Sequence, residues 1–547
     1  MILLSEQFGR EGAGEGETFI DIFEQASVKY ADRVAVSDRY REYQYGEINH
    51  LANIFAQTMR DSGIEPCDIV AIIRERDAVF LAAILAVFKV GAVYLPIHPD
   101  LPRQRQAYML EQSRSRWCLF GPGLDFSHVN VQGFCLDDWI RPAQALKHTN
   151  RSHRADDLAY IIFTSGSTGQ PKGAMIAQNG MLNHLLAKIE DLSLTQDDVV
   201  AQTASQAFDI SVWQFLAVLL VGGKVVVIDR EVMLDAKALL ACITMLRVSV
   251  LETVPSHLNL FIDIAAGAPG SAAEGLLRLR WMISTGETLT SHLARRWFAA
   301  FPQIPLVNAY GPTECSDDVT HHILSGPPTE DTIPVGKEIR GVHIYIVNDQ
   351  LEPVPDGDLG EICVAGVAVG LGYVGDQENT TKTFVSNTLL TRPHQRLYRS
   401  GDIGRRRIDG LIEYHGRKDQ QVKINGHRVE LGEIEAALLA CGGLADVAVL
   451  VRRSDGLASL VAFIQFADPM KPIDGCFEAT FLAALNQKLP SEMMPEALIP
   501  LEQFPVNANG KIDRRVLARM VEELTSVKTS RAVNTDGVEH VVDSAVR

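Results

Sequence analysis

The sequence predicts an α/β protein with a large N-terminal domain of mainly parallel sheets, a β-rich part within it and a small, mobile C-terminal α/β domain. The chain has 547 residues, more than one hydrophobic core usually organises. Strand-like runs at residues 224–229 and 248–251 flank a helical stretch at 236–246, an alternation typical of βαβ units. Beyond residue 335 the strand-like runs shorten and turn signals separate them, which predicts the β-rich part.

The sequence divides into four segments. Residues 1–16 are rich in Gly and Glu and are expected to form a flexible N-terminus. Residues 17–415 form the predicted large core domain, in which the apolar run 78–90 is too short for a membrane span and indicates a core helix. Residues 416–520 form the predicted small lid domain, and the polar, weakly periodic residues 521–547 a tail.

Composition excludes some classes of function. The net charge is −17, which argues against a nucleic-acid-binding protein because such proteins need a basic face. The eight cysteines contain no Cys-x-x-Cys pair and suit a reducing compartment better than a disulfide framework or zinc site. No signal segment is recognisable near Met1. We therefore expect a cytoplasmic enzyme or binding protein that contacts neither nucleic acid nor membrane.

A loop rich in hydroxyls and glycine follows the apolar run 158–163. Glycine lets a backbone bend closely around phosphate oxygens, so this loop predicts a phosphate-binding turn after a buried strand. It is not a Walker A loop, because Lys172 is followed by Gly173 and not by Ser or Thr. The alternative is a plain Ser/Gly surface turn. The candidate residues are Thr164, Ser165, Gly166, Ser167, Thr168, Gly169 and Lys172.

The loop resembles the phosphate loop of the adenylate-forming enzymes, which include acyl-CoA synthetases, luciferases of the firefly type and the adenylation domains of nonribosomal peptide synthetases. Three further segments carry the same resemblance: residues 308–314, Asn-Ala-Tyr-Gly-Pro-Thr-Glu; residues 398–402, Tyr-Arg-Ser-Gly-Asp; and residues 505–514, Pro-Val-Asn-Ala-Asn-Gly-Lys-Ile-Asp-Arg. The family joins a carboxylic acid to ATP, giving an acyl-adenylate and pyrophosphate. The resemblance implies ATP and Mg²⁺ as cofactors.

The resemblance also implies roles for single residues. Asn308, Tyr310 and Gly311 would line the nucleotide site, with Tyr310 stacked on adenine. Thr313 would face the α-phosphate and Glu314 would help to hold Mg²⁺, which suits a cation that binds carboxylates and phosphates. Asp402 would accept from the ribose hydroxyls, Arg417 would contact the nucleotide and Asp419 would be the hinge. Lys511 would bridge the substrate carboxylate and the α-phosphate, where a cation stabilises transition-state charge.

Residues 208–213, Phe-Asp-Ile-Ser-Val-Trp, indicate the branch of the family. Members that activate amino acids carry Phe-Asp-x-Ser here, and the resemblance implies that Asp209, expected on a pocket strand, pairs with the substrate α-ammonium. The alternative is that Asp209 only caps a helix. Gln214 stands where many relatives have Glu, and we attach no consequence to it.

The family's pocket positions can be transferred to this chain, with Glu252 the weakest assignment because it rests on one proline. Besides Lys511 they are Asp209, Ile210, Trp213, Glu252, Ile283, Thr285, Ala309, Asp317 and Asp318. Four carboxylates in one closing pocket would be costly without cations, because burial and like charge suppress ionisation. A basic substrate side chain would offset that cost. We therefore predict 2,4-diaminobutyrate or 2,3-diaminopropionate as the substrate, with ornithine, lysine and arginine-like acids as the next candidates. If Asp317 or Asp318 instead faces solvent or pairs with a neighbouring Lys or Arg, a small polar acid such as threonine or serine is expected.

Other possibilities stay open. The chain could be an acyl-CoA ligase, which Asp209 argues against, or a non-catalytic adenylation-like protein, which the complete set of motifs argues against. No carrier, condensation or thioesterase signature is present, so we expect a free-standing protein that loads a separate phosphopantetheine carrier protein, with or without an MbtH-like helper. His321 and His322 are expected to lie at a solvated strand or loop edge.

Overall fold

Helices of the computed structural model lie mostly in the first 300 residues. The structure describes residues 17–124, 129–140, 154–166, 169–266, 276–389, 396–419, 421–454, 457–467, 475–505 and 512–522. Their α-helices are α1 (Phe19–Lys29), α2 (Tyr45–Asp61), α3 (Ala78–Val90), α4 (Arg103–Ser113), α5 (Gln178–Asp191), α6 (Ile210–Leu216), α7 (Arg230–Leu234), α8 (Ala236–Met245), α9 (Pro255–Ala266), α10 (Ser291–Ala300), α11 (Gln377–Thr383), α12 (Leu431–Leu439) and α13 (Gly475–Asn486). A further helix occupies residues 514–522, so it extends two residues into the segment predicted as a tail.

Strands alternate with these helices over most of the chain. They are β1 (Val34–Ser37), β2 (Glu42–Gln44), β3 (Ile69–Ile73), β4 (Val93–Ile97), β5 (Trp117–Phe120), β6 (Gln132–Cys135), β7 (Leu158–Thr164), β8 (Lys172–Ala177), β9 (Val199–Gln202), β10 (Lys224–Val227), β11 (Val250–Thr253), β12 (Trp281–Ser284), β13 (Leu306–Tyr310), β14 (Thr320–Leu324), β15 (Lys337–Glu338), β16 (Val342–Val347), β17 (Gly360–Gly366), β18 (Gly372–Tyr373), β19 (Phe384–Ser386), β20 (Arg396–Arg406), β21 (Ile412–Arg417), β22 (Gln421–Ile424), β23 (His427–Glu430), β24 (Leu444–Ser454), β25 (Leu457–Phe466) and β26 (Ala497–Pro500).

Two large sheets dominate the described part of the chain. One has nine strands in the order β15-β14-β13-β12-β11-β9-β10-β1-β2, and the other has seven in the order β18-β8-β7-β4-β3-β5-β6. The central pairs of both sheets are parallel, and antiparallel strands lie at the edges, such as β14 on β13 and β8 on β7. The predicted α/β class with mainly parallel sheets is confirmed.

One hydrophobic core joins side chains from both large sheets with those of the helices packed on them. Helix α3 lies wholly within it, and every one of its residues is buried. Asp77 caps its start by accepting from the Phe80 amide at 2.7 Å, and Gly91 ends it in a left-handed conformation. The interpretation of residues 78–90 as a core helix is therefore confirmed.

A smaller antiparallel sheet follows, with the order β16-β17-β20-β19 and β21 paired to β20. It is the β-rich part that the shortened runs beyond residue 335 predict. The chain forms two compact units, Met1–Val429 and Glu430–Arg547, whereas the sequence places the boundary near residue 416. The second unit carries the three-stranded sheet β24-β25-β26, in which β26 runs parallel to β25.

The carboxyl ends of β11, β12 and β13 lie side by side, since the three strands are parallel and in register. Ligands of open α/β sheets bind outside such ends. Glu252 lies opposite Ile283 in this ladder, and Tyr310 ends β13. The sheet thus gathers residues from distant parts of the sequence at one edge.

Gly336 lies where two backbone segments pack closely at this edge of the sheet. Its φ is +107°, and a Cβ atom there would lie 2.0 Å from the carbonyl oxygen of His321 on β14. We predict that Gly336→Ala lowers stability by about 1–3 kcal/mol through backbone strain alone, with a further cost from the overlap. The thermal unfolding midpoint of the purified protein measures this loss.

Gly357→Ala is the matched control, because Gly357 has a φ of +98° and no atom of the described residues lies within 4 Å of the position that a Cβ atom would take there. It should therefore lose stability through strain only. Equal losses in the two variants would contradict the packing argument at Gly336.

Candidate active site

The glycine- and hydroxyl-rich loop starts where β7 ends and returns into β8. The Thr164 hydroxyl donates to the Lys172 carbonyl at 3.5 Å, and the Gly169 amide donates to the Gly166 carbonyl at 3.0 Å. The Ser165 hydroxyl donates at 2.7 Å to the carbonyl of Arg428, a residue far along the chain. The loop is thus held at its start by Arg428, which the sequence assigns to the predicted small lid domain but which belongs to the first compact unit.

Lys172 begins β8, with its ammonium 5.5 Å from the centre of the Tyr373 ring. This distance permits a cation–π contact. Lys172 therefore lies near the ring whose hydroxyl holds Glu314. Ser167, Thr168 and Lys511 lie outside the residues that the structure describes.

Tyr310, Asp402 and Arg417 form one hydrogen-bonded group. The Tyr310 hydroxyl donates to Asp402 Oδ2 at 2.6 Å, and Arg417 Nη1 donates to Asp402 Oδ1 at 2.7 Å. Arg417 also binds Asp419, from Nε to Oδ1 at 2.7 Å and from Nη2 to Oδ2 at 2.9 Å. The structure thus brings together the aromatic, acidic and basic residues that the family resemblance links to the nucleoside.

Two neighbours fix this group in place. The Ser400 hydroxyl donates to the Ile362 carbonyl at 2.6 Å and accepts from the Asp402 amide at 3.0 Å. The Asn308 side-chain amide donates to the Pro334 carbonyl at 2.8 Å. The Ser400 hydroxyl therefore holds the backbone through two hydrogen bonds, as a threonine hydroxyl could.

Glu314 is buried and fully partnered. Arg428 Nη1 donates to Glu314 Oε1 at 3.0 Å and to Oε2 at 2.7 Å, and the Tyr373 hydroxyl donates to Oε1 at 2.7 Å. Burial alone would raise the pKa of Glu314, yet the Arg428 guanidinium and the Tyr373 hydroxyl hold that pKa below its ordinary value. The carboxylate is therefore ionised.

An ionised, buried carboxylate beside a phosphate-type loop fits a Mg²⁺ ion, which takes one or two carboxylates together with substrate phosphates. Glu314 is the residue that would hold the ion. Its two oxygens are engaged by Arg428, so the ion and the guanidinium compete for the same carboxylate. Arg428 was missed by the sequence analysis, although it stands in the Gly-His-Arg-Val-Glu run at residues 426–430.

Asp209 does not lie on a strand, so that expectation is wrong. It precedes α6, and its carboxylate accepts from the Ile210 amide at 3.0 Å, which caps the helix start. Burial raises the pKa of Asp209 to about 6, and the neighbouring Thr313 hydroxyl opposes the rise. Asp209 therefore contacts the segment that carries Tyr310 and Glu314, as well as capping a helix.

Glu252 lies at the end of β11 and is held by two donors from α6. Trp213 Nε1 donates to Glu252 Oε2 at 2.9 Å, and Gln214 Nε2 donates to the same oxygen at 3.1 Å. The other end of the Gln214 amide accepts from the Thr203 and Ala204 amides, both at 2.9 Å. Gln214, to which the sequence analysis attaches no consequence, is thus a support for Glu252.

Asp317 and Asp318 follow a tight turn in which Ser316 and Asp317 have φ values of +64° and +82°. Gly311 makes room for that turn, because a Cβ atom there would lie 1.8 Å from the Asp317 carbonyl oxygen. The Thr285 hydroxyl donates to the Ala309 carbonyl at 3.1 Å and to Asp318 Oδ1 at 3.4 Å.

Three further predicted pocket positions lie on α6, β12 and β13. Ile283 and Ala309 lie on β12 and β13, and Ile210 packs on the same core at the start of α6. The structure therefore brings the described pocket residues to one edge of the large sheet.

Lys188 is the principal residue that the sequence analysis missed. It lies on α5 and is 1% exposed, with its ammonium 2.6 Å from Asp318 Oδ2, 3.9 Å from Glu252 Oε1 and 4.6 Å from the centre of the Trp213 ring. The only sequence signal is a lysine within the largely apolar run 181–189. The alternative in which Asp318 pairs with a neighbouring lysine describes the structure.

Two histidines complete the acidic end of the pocket. His321 Nδ1 donates to Asp191 at 2.7 Å while its Nε2 lies 3.4 Å from Asp318 Oδ2. His184 Nε2 lies 3.8 Å from Asp318 Oδ2. The expectation of a solvated edge is wrong for His321, whose side chain is 4% exposed, because it packs against these carboxylates.

Protonation divides the pocket carboxylates into two kinds. The Lys188 ammonium holds the pKa of Asp318 well below its ordinary value despite burial, so Asp318 is ionised. Burial and the neighbouring Asp318 raise the pKa of Asp317 well above its ordinary value, and burial raises that of Glu252 to about 7. Burial lowers the pKa of His184 to about 4, so that ring is neutral.

Among the described residues, His184, Asp318 and His321 have their ligand atoms close enough together to hold a metal ion. The Lys188 ammonium is already bound to the same Asp318 oxygen. A second group, Glu75, His98 and Asp100, is more exposed. Neither group therefore adds a metal ligand to Glu314.

Comparison with known proteins agrees with this geometry. Residues 23–374 match the family model of the AMP-binding enzymes. Zwittermicin A synthase ZmaJ of Bacillus cereus is 30% identical over 533 residues, covering 96% of this chain and 99% of the relative. Tyrocidine synthase 1 of Brevibacillus parabrevis is 32% identical over 520 residues, and the match spans 94% of this chain but 46% of that protein.

A solved structure is similar over most of the chain. It is an NRPS protein in its holo form, which contains adenylation and PCP domains bound to a vinylsulfonamide inhibitor. The TM-score is 0.82 at 26% identity, covering 92% of this chain and 84% of that one. The chain belongs to the family of AMP-binding, adenylate-forming enzymes. Within it, the relatives are nonribosomal peptide synthetases and their adenylation domains.

None of the described helices combines the length and the apolar character that crossing a membrane requires.

The titration of Asp209 gives a prediction on pH. If its carboxylate binds the substrate ammonium, protonation near its pKa of about 6 removes the charge, so kcat/KM for the amino acid should fall about tenfold per pH unit below that value. Pyrophosphate exchange measured from pH 5 to 8 tests this, and KM for ATP should change little.

Glu252 titrates near pH 7 and is the competing group, so Glu252→Gln is the control. The acid limb near pH 6 should persist in Glu252→Gln and vanish in Asp209→Asn, whose activity should be low at every pH. An acid limb that disappears with Glu252→Gln would contradict the role given to Asp209.

Proposed function

We propose that the protein activates an α-amino acid with ATP, forming an aminoacyl-adenylate and pyrophosphate, and then transfers the acyl group to the phosphopantetheine thiol of a separate carrier protein. The observation that carries the proposal is that the buried carboxyl group of Asp209 lies beside Thr313, within the Tyr310–Glu314 segment. An acid suited to an α-ammonium thus lies beside the residues suited to ATP. The reaction would take place in the cytoplasm, without nucleic acid or membrane.

In the first half-reaction, a substrate carboxylate oxygen attacks the α-phosphorus of ATP, the new P–O bond forms and pyrophosphate leaves. Asp209 fixes the ammonium end of the amino acid, and Tyr310, Asp402 and Arg417 orient the nucleoside. Thr313 and Lys511 face the α-phosphate, where the ammonium of Lys511 offsets the charge of the two approaching anions. Mg²⁺, when bound at Glu314, neutralises phosphate charge.

In the second half-reaction, a thiol attacks the acyl carbon, a thioester forms and AMP leaves. The small domain turns about Asp419 between the two half-reactions and withdraws Lys511. Hinges of this kind need only a few residues that absorb a large change of φ and ψ. An MbtH-like helper is a further candidate partner.

For the side chain we propose a short diamino acid, 2,4-diaminobutyrate or 2,3-diaminopropionate. Lys188 offsets Asp318, so the premise that the pocket lacks a cation is wrong. Asp317 Oδ2 and Glu252 Oε1 nevertheless have no hydrogen-bond donor among the described residues. Burial raises the pKa of both groups, and a substrate ammonium placed beside either carboxyl group would favour its ionised form. Trp213 fills part of the pocket and favours a short chain.

The second candidate is a small polar amino acid such as threonine or serine. The observation that favours it is the Lys188–Asp318 ion pair, since it reduces the number of unpaired acids. A protonated Asp317 could then donate to a side-chain hydroxyl. An acyl-CoA ligase is disfavoured because Asp209 would be buried without an ammonium to bind.

A substrate panel tests the activity and the side chain together. We predict amino-acid- and Mg²⁺-dependent ATP–pyrophosphate exchange, with the diamino acids at least about tenfold above alanine in kcat/KM, which corresponds to about 1.4 kcal/mol. The measurement is isotope exchange with the purified protein, with and without a helper protein.

Two outcomes contradict different parts of the proposal. Exchange with no amino acid, even with a helper, would favour a binding-only protein. Exchange that is fastest with serine, threonine or an aliphatic amino acid would retain amino-acid activation and reject the diamino acid.

Lys511 should act in the first half-reaction only. We predict that Lys511→Ala lowers the rate of adenylation by about 10²-fold or more, because it removes a cation that stabilises charge in the transition state. Thiolation from supplied aminoacyl-adenylate should change less than about threefold, since the withdrawn lysine makes no contact in that step. Single-turnover assays of the two half-reactions measure both effects.

Lys488→Ala is the matched control, because Lys488 lies in the same unit and contacts only the Ala440 carbonyl, at 3.4 Å, among the contacts described. It should leave both half-reactions unchanged. Equal losses in both steps for Lys511→Ala would argue against withdrawal of the lysine.

A further inference from the structure

Lys188 is a buried cation that none of the family's pocket positions includes. It lies in the third turn of α5, four residues after His184, so both side chains lie on one face of the helix. Burying an ammonium is costly unless it is paired. The presence of Lys188 at this depth therefore needs partners, and the structure supplies Asp318 at 2.6 Å and Glu252 at 3.9 Å.

The partners of Lys188 are themselves held from other elements. Glu252 accepts from Trp213 and Gln214 on α6, and Asp318 accepts from Thr285 after β12. The Lys188 ammonium also lies 4.6 Å from the centre of the Trp213 ring. Its position is therefore fixed by four elements. If the ammonium left, Asp318 would lose its lysine partner and retain the Thr285 hydroxyl and the His184 and His321 rings as neighbours.

This arrangement has a consequence for a substrate side chain. A cationic side chain that reached Asp318 would meet the ammonium of Lys188 at the same oxygen, and like charges in a buried site repel strongly. A shorter cationic side chain would stop before Asp318, where Asp317 is without a hydrogen-bond donor for its Oδ2 among the described residues. Lys188 thus disfavours the binding of long cationic side chains, both by electrostatic repulsion and by occupying space at the end of the pocket.

We propose that Lys188 is a specificity-determining residue, whose ammonium occupies the acidic end of the side-chain pocket and limits the length of the cationic side chain that the pocket accepts. The inference rests on the proposed activation of an amino acid. It does not depend on which amino acid the wild-type protein prefers, because removing Lys188 leaves Asp318 in need of a cation in either case.

The test is Lys188→Met, which keeps the length of the side chain and removes its charge. Ornithine or lysine should then place its ammonium against Asp318. The ratio of kcat/KM for ornithine or lysine to kcat/KM for 2,4-diaminobutyrate in pyrophosphate exchange should rise at least about tenfold over the wild-type ratio. Lys188→Arg keeps the charge and should keep the wild-type ratio.

Asp318→Asn combined with Lys188→Met removes both charges. This double variant should lose the gain with ornithine and lysine, because no carboxylate remains to bind their ammonium, and should favour a long uncharged side chain such as norleucine. It also keeps the inference testable if Lys188→Met alone does not fold, since it leaves neither member of the ion pair buried without its partner.

Lys89→Met is the matched control for loss of a buried lysine. Lys89 is also 1% exposed and pairs with Glu24, away from the pocket. It should lower stability without changing the ratio of substrates.

Three results overturn the inference while leaving amino-acid activation intact. The first is an equal fall for every substrate in Lys188→Met, which indicates a structural role only. The second is that the double variant ranks the substrates as Lys188→Met does, with the gain for ornithine and lysine retained. The third is stoichiometric zinc in the purified wild-type protein that His184→Ala removes, which makes a metal the cation at Asp318. Absence of exchange in the wild type would instead reject the proposed function itself.

Discussion

Buried carboxylates at the carboxyl ends of β11, β12 and β13 are the constraint on which the rest of the site depends. An ionised group removed from water must find a cation or several hydrogen bonds, or it becomes neutral. Each acid here meets that demand differently: Glu314 through Arg428 and Tyr373, Asp318 through Lys188, and Glu252 through Trp213 and Gln214. These partners come from helices and strands that are distant in sequence, so the ion pairs also fix how those elements pack.

The same constraint links Glu314 to the glycine- and hydroxyl-rich loop after β7. Arg428 supplies the positive charge at Glu314, and its own carbonyl accepts from Ser165. Gly426, two residues earlier, donates to Glu287 at 3.0 Å, and His427 packs edge-on against Phe208. A cation that replaced Arg428 at Glu314 would therefore release one of several contacts that hold residues 426–428 across the site. The charge at Glu314 and the position of this segment are thus linked through Arg428.

Much of the fold follows from local sequence, because hydrophobic periodicity and the positions of glycine predict its helices, strands and turns. The apolar run 78–90 could only be a core helix, and the alternation after residue 224 indicated parallel strands. The motifs also named Tyr310 and Asp402, which lie in contact in the structure. What could not be predicted were pairings across the fold, such as that of Arg428 with Glu314. The sequence left a strand position and a helix cap open for Asp209, and the contact with the Ile210 amide decides for the cap.

The acidic pocket shows why the net charge of a site cannot be read from a list of its lining residues. Four acids were named from the sequence, and the count suggested a large excess of negative charge. Lys188 stands 21 residues before Asp209, on a helix without a motif, and its position in the largely apolar run 181–189 indicates burial but names no partner. Only its distance from Asp318 reveals that the protein has supplied part of the countercharge. Burial suppresses the ionisation of Asp317 and Glu252 as well, so a count of acidic residues overstates the negative charge of this pocket.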